Sequence, residues 1–366
     1  MGNRTARLAV AGVLLGLATA FCGPAAAQVQ LDTSISQQVS PPMDDIQRWA
    51  AENVRNLASD DPVLVQRSKQ ALARPLRDAA TTVGFRVRAS EAIVPALRAL
   101  IASRPDQAEV AVNAAIVASD LASDGGLALL RDLRADPRLA VRYRATKGFG
   151  NAMLLALQSE PAFDATAAMQ VARDLGAGLS AETDPQVLVA YVTALEDTSK
   201  VDRFRGLRDL ALQELAEGIS ARLDRLNGAP ADLTELDPLV RGLGHFRSQL
   251  IRVGGDPVGP AARKAGVEAA GHLIAWAFRF TRANGAIPEP DSDLHRVLVT
   301  GLNLAENIFT LVDARQGETI ERLRLKDLAT GGSVQEFTNA AGRVIGVGGI
   351  LAQAPYSVAE GTYRLK

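Results

Sequence analysis

The chain has 366 residues, 47% hydrophobic, 22% charged and only 4% aromatic, so it can bury a core and is not disordered by composition. Its 40 Lys and Arg stand against 41 Asp and Glu, which argues against nucleic acid as a partner, because displacing counterions from phosphates needs a basic excess. So few aromatic rings also argue against a surface that stacks sugars or bases.

The N-terminus carries the strongest local signal. Arg4 and Arg7 precede the apolar run "LAVAGVLLGLATAF" (residues 8 to 21), and "AAA" at 25 to 27 offers an Ala-x-Ala cleavage site before Gln28. This order predicts a signal peptide over residues 1–27 and a periplasmic or secreted protein. The apolar run is short for a permanent membrane span, so the mature chain is expected to have no transmembrane helix. Cleavage leaves 38 basic residues against 41 acidic ones. The single cysteine, Cys22, lies in this segment behind Phe21, where a lipoprotein signal needs a small residue; lipid anchoring is the lesser alternative. The mature chain then has no thiol, which excludes disulfides, thiol catalysis and zinc–thiolate sites.

Residues 28–42, polar and closed by two prolines, read as a flexible leader. Helical patterns follow. "MDDIQRWAAENVRNLA" has Asp44 as a candidate cap and Ile46, Trp49, Ala50 and Val54 at helix spacing. Pro62, Pro105, Pro137, Pro185 and Pro238 mark further starts, four of them directly after an Asp. Asp accepts from the free N–H groups of a helix start, and proline occupies the first turn without losing a bond. "TTVGFRVRA" (residues 81 to 89) comes nearest to a strand pattern, and it is short, so strands are expected to be absent or marginal. The proline starts are separated by 43, 32, 48 and 53 residues. Each interval holds about two helices with their turns, the mark of stacked helical hairpins in an α-solenoid.

Within "RADPRLAVRYRATKGFG" (residues 134 to 150), Asp136 is followed at five and six residues by Val141 and Arg142. Helical geometry places Val141, Ala145 and Phe149 on one stripe, with Arg142 at its edge. "DPRLAVR" resembles the second-helix signature of HEAT repeats. That resemblance implies a ladder of Asp and Arg side chains along the solenoid, a role that Asp136 and Arg142 would fill here. The signature is partial elsewhere: Asp60 and Val65 are followed by Gln66, and Asp184 and Val189 by Ala190. The resemblance covers residues 60 to 200; an irregular helical bundle whose Asp-Pro steps are plain caps is the alternative.

Beyond residue 200 the helices lengthen. "VDRFRGLRDLALQELAEGISARLDRL" is amphipathic, and "GGDPVGP" (residues 254 to 260) is a break. After it come "AARKAGVEAAGHLIAWAFRFTRA" and a helix from about 292 to 314. This predicts a helical-repeat domain over 43–254 and a C-terminal helical region over 255–366, in an all-α protein.

A search for chemistry returns little. Neither the nucleophile elbow, the zinc-protease motif, the phosphate loop nor the calcium loop is present. "GRVIGVGGIL" is glycine-rich, which close helix packing explains. His245, His272 and His295 lie on three separate helical segments without a ligand pair at helical spacing, so no metal or other cofactor is expected. Asp291 and Asp293 read as capping groups. Arg131, Arg134, Arg138, Arg142, Arg144 and Lys147 form the densest basic run; either it docks an acidic protein or envelope surface, or neighbouring acids offset it. The functional expectation is an exported scaffold or adaptor that binds protein. The alternatives are an enzyme with a pocket between the solenoid and the C-terminal helices, or a structural protein of the cell envelope.

Overall fold

The structure, a computed structural model, describes residues 30–227, 233–252, 256–331 and 333–365. These are all-α, with one isolated bridge between Ser123 and Ala162 and no strand among them. A single turn, α1 (Thr33–Ser36), precedes α2 (Met43–Asn56), α3 (Pro62–Arg77) and α4 (Val83–Ser103). The middle of the chain forms α5 (Ala108–Leu121), α6 (Asp124–Arg134), α7 (Leu139–Gln158), α8 (Ala165–Ala181) and α9 (Pro185–Thr198). Longer helices follow: α10 (Leu207–Leu226), α11 (Leu233–Leu250), α12 (Pro260–Asn284) and α13 (Asp293–Val312). The short α14 (Ala314–Glu321), α15 (Leu325–Gly331) and α16 (Val334–Ile345) and a 3-10 turn, Ile350–Ala352, complete the described chain.

Most starts have a chemical cause. Asp61, Asp164, Asp184 and Asp313 accept from backbone N–H groups of α3, α8, α9 and α14, and Ser123, Ser292 and Ser333 do so for α6, α13 and α16. Pro62 and Pro185 stand in the first turn of their helices, as expected. Pro105 and Pro137 lie in the turns before α5 and α7. Pro238 departs from the pattern and sits inside α11, where its ring removes one hydrogen bond without ending the helix. Asp44 falls in the first turn of α2 without capping it, where its charge still complements the helix dipole. The strand-like "TTVGFRVRA" begins α4, because Thr82 accepts from the Phe85 N–H and sets the helix going.

Many helices pack on their immediate neighbour and on the helix after that: α2 on α3 and α4, α5 on α6 and α7, α7 on α9, α8 on α9 and α10, α9 on α11, α10 on α12. Val141, Ala145 and Phe149 form the stripe expected of α7, and all three are fully buried. Side chains of the size of Val141 and Phe149 each stabilise the fold by roughly 1.5–3 kcal/mol when removed from water. The approach of α8 to α10 depends on reciprocal glycines. A methyl at Gly176 would run into the Glu214 carboxylate, and one at Gly218 would lie 2.6 Å from Leu179 Cδ2.

The break at residues 254 to 260 does not interrupt this packing, since α10 lies against α12 and α11 against α13. Residues 253–255 themselves, and the expected signal peptide over 1–27, lie outside the described residues. No described helix is long and apolar enough to cross a membrane. The segment expected to be a flexible leader is packed from residue 30 on. The Thr82 N–H donates to Ser36 O at 3.1 Å, the Thr82 hydroxyl to Gln38 O at 2.6 Å, and Gly84 leaves room for the Val39 carbonyl. Its polar composition is misleading because a few side chains, Leu31 and Ile35 on the core and the buried Ser36 and Pro41, join these backbone bonds in making the attachment.

Candidate interaction surface

The basic run on α6 and α7 is divided between two directions. Arg131 Nε donates to Asp174 Oδ2 at 2.7 Å, and Arg134 donates to the carbonyl of the same residue, so both arginines of α6 reach α8. Arg138 folds back onto Asp136 through Nε (2.8 Å) and Nη2 (2.7 Å) and also reaches Pro105 O. Arg142 donates from Nη1 to Pro137 O (2.9 Å) and Asp136 O (3.3 Å), and from Nε to Glu182 Oε2 (3.3 Å), beyond the end of α8. Arg144 lies within the influence of Asp120 on α5, and neither it nor Lys147 makes a hydrogen bond or ion pair among the described residues.

The Asp136–Arg142 ladder implied by the HEAT resemblance is therefore wired differently. Asp136 meets Arg142 through its carbonyl, not its carboxylate. Two residues away, Arg138 already donates its backbone N–H to the carboxylate, so its guanidinium closes on it at little further entropic cost. This bond holds the Asp136 carboxyl below the usual carboxylate range. Arg142 is left to cross to the next helix pair. There the charges continue: Glu182 acts electrostatically on Arg222 of α10, which is buried and pairs with Glu235 of α11.

Arginine bonds that span 40 to 48 residues recur along the chain, beside others that span 33 to 35. Arg77 to Asp120 spans 43 residues, Arg131 to Asp174 spans 43, and Arg142 to Glu182 spans 40. Arg203 to the Ser159 carbonyl spans 44, and Arg241 to the Thr193 hydroxyl spans 48. Reading for Asp-x-x-x-x-Val-Arg missed this set, because the acceptors lie at varied local positions; in three of the five the acceptor is an acid 40 or 43 residues away.

The most buried polar node lies where α3, α4, α5 and α7 meet. Arg86, fully buried, directs Nη1 to the carbonyls of Asp120 and Leu121 (3.4 Å each) and Nη2 to Ser159 Oγ at 2.7 Å. Those oxygens stand at the C-terminal ends of α5 and α7, the negative ends of the helix dipoles, which makes a buried cation tolerable there. Even so, burial brings its pKa down to about 10. Asp120 receives a two-pronged bond from Arg77 (3.0 and 2.9 Å). Burial raises the Asp120 carboxyl, against the opposing pull of Arg77, Arg144 and Arg86.

The histidines stay apart from one another. His245 Nε2 lies 2.8 Å from Ser199 Oγ, a distance that suits a nucleophile and its base. Ser199, however, is fully buried and donates its proton to Glu196 O, so it receives a bond from the ring. The pair clamps α9 to α11. Burial pushes His245 down to about 4, which keeps the ring neutral. His272 stacks edge-on against Tyr363 with ring centroids 5.0 Å apart, and burial pushes it to about 4 as well. Trp276, four residues on, faces Phe280. His295 holds Pro288 O near the start of α13. Ser292, between Asp291 and Asp293, provides the cap there, and Asp293 pairs with Arg296. Among the described residues no group of His, Cys, Asp and Glu is placed to hold a metal ion. A cavity of about 490 Å³ opens between α11 and α13, lined by Asp237, Val240, Asp293, Arg296 and Val297, and a polar one of about 480 Å³ includes Asn303, Glu306, Arg324 and Lys326.

No family model matches this chain, and no curated protein matches it. Among solved structures it is similar to two engineered proteins from the Northeast Structural Genomics Consortium. One is 19% identical, covering 72% of this chain and 97% of its own, with a TM-score of 0.40. The other is 15% identical, covering 87% of this chain and 93% of its own, with a TM-score of 0.27.

Proposed function

We propose that this protein is an exported scaffold, a HEAT-like α-solenoid that binds a protein partner along its stacked helices. The recurrence of arginine bonds at separations of 40 to 48 residues carries the reading. Bonds that recur at similar chain intervals, while many helices pack on the next and the next but one, are what stacked units of similar size produce. Such stacks expose long surfaces and suit partner binding more than enclosed chemistry. Export is supported by the order of basic, apolar and small residues before Gln28.

The test is crosslinking in cells followed by purification of the full chain from the extracytoplasmic fraction. The expected result is a mature N-terminus at Gln28 and one crosslinked protein that rebinds when both are purified. Recovery from the cytoplasm with residues 1–27 still attached would remove the export reading. Purified candidates that fail to rebind would remove the scaffold reading.

A further inference from the structure

One guanidinium holds the carboxylate of Asp120, and the charges of two more, Arg86 and Arg144, act on it. Arg77 holds it directly at 2.9 and 3.0 Å, its own side chain half exposed while that of Asp120 is 4% exposed. Arg86 lies fully buried beneath, with Nη1 and Nη2 engaged and Nε without an acceptor. Arg144, on α7, is close enough to feel both Asp120 and the repulsion of Arg77, yet it has no hydrogen bond or ion pair among the described residues. Its Nε is buried without an acceptor. The other arginines of the α6–α7 run, Arg131, Arg134, Arg138 and Arg142, all have acceptors.

A buried carboxylate can balance one of these cations, and the helix ends at Asp120 and Ser159 answer a second. The third is left without a counter-charge, partly buried, beside an exposed guanidinium. A desolvated cation without a partner is costly, and the terminal nitrogens of Arg144, which unlike its Nε are not among the buried atoms, remain to bind an acceptor. Planar guanidinium groups favour carboxylate and phosphate oxygens. We infer that Arg144 and Arg77 form an oxyanion-binding site where α3 and α7 pack on α5, organised by Asp120 and accepting a carboxylate or phosphate group. Asp120 is the positioning residue, because it fixes Arg77 and leaves that side chain's outer edge and Arg144 to the ligand. Lys147, one turn beyond Arg144, extends the positive field. The ligand's oxygens come either from a free anion or from an acidic side chain on a peptide. The site stands on these contacts and does not depend on the scaffold reading.

The experiment is calorimetric titration of the full chain at constant ionic strength with inorganic phosphate, and separately with a hexaglutamate peptide, with chloride as the background anion. Saturable binding of at least one is expected, weakened about tenfold in Arg144→Gln and less in Arg144→Lys. Phosphate binding alone identifies a free anion, whereas tighter binding of the peptide identifies an acidic segment. Without added anion, Arg144→Gln is expected to melt no lower than the parent, because the side chain has no bond to lose. The proposal is overturned if neither probe saturates, if Arg144→Gln binds as the parent does, or if that variant melts well below it without anion.

Discussion

The helices from α3 to α9 and those from α12 onward are joined by different means. In the first region the joints are arginine bonds between helices, several of them 40 to 44 residues apart in sequence and those of Arg86 34, 35 and 73 apart. In the second, the last described residues run back across α12 and α13. Arg279 donates to Arg364 O over 85 residues, the Tyr363 hydroxyl reaches Glu268 O over 95, and that of Tyr356 reaches Phe309 O over 47. A methyl at Gly271 would collide with the Tyr363 ring, so the absence of a side chain there makes the seat. In the second region, the flank of the last long helices is covered by chain brought from far away.

This contrast can be broken at its strongest point first. Arg86→Ala should remove about 3–5 kcal/mol, because it opens a hole and strands the α5 and α7 helix ends. Denaturant unfolding measures this, and a loss below 1 kcal/mol would mean that the node is not what joins α4, α5 and α7. Tyr363→Ala should cost about 3 kcal/mol by loss of buried aromatic surface. Its mark is regional: hydrogen exchange should quicken in α12 and α13 while α5 to α9 stay protected. Uniform quickening would erase the distinction between the regions.

Acid sharpens the comparison in a way common to both regions. His245 and His272 are each held near 4, against an ordinary value of 6.5. The unfolded chain therefore takes up protons first as pH falls below about 6.5, so stability drops until the folded rings titrate near 4. The slope is at most about 1.4 kcal/mol per pH unit for each histidine. Replacing His245 with Gln should flatten the fall between pH 6.5 and 5; an unchanged slope would show that the ring is not held neutral. The smallest effect belongs to the Arg142–Glu182 bond. A double-mutant cycle on Arg142→Ala and Glu182→Ala should give a coupling of about 0.5–1 kcal/mol, since neither group is fully desolvated. Zero coupling would reduce this contact to an accident of packing.

Much of the architecture was legible before any coordinates. The helix starts at Pro62 and Pro185, the stripe Val141, Ala145 and Phe149, and the long helices after residue 200 follow from capping chemistry and a 3.6-residue period. Both are local properties. Pro238 and "TTVGFRVRA" misled because their neighbours decided their state: flanking helix formers carried α11 through the proline, and Thr82 capped a segment whose alternation suggested a strand. The basic run was legible as a cluster but not as to its partners. Asp174 and Glu182 lie 43 and 40 residues away from the arginines they meet, and nothing within a short window distinguishes them from other acids.

What the sequence determined by itself is the kind of structure: caps, periodicity, small side chains and near-balanced charge dictate packed helices, because each acts over a few residues. Only the tertiary structure decided which charges meet. Arg138 took the carboxylate that Arg142 was expected to share, and Arg144 was left beside Asp120 without a bond of its own. Pairing of that sort depends on distances between helices, and those are set only when the chain has closed on itself.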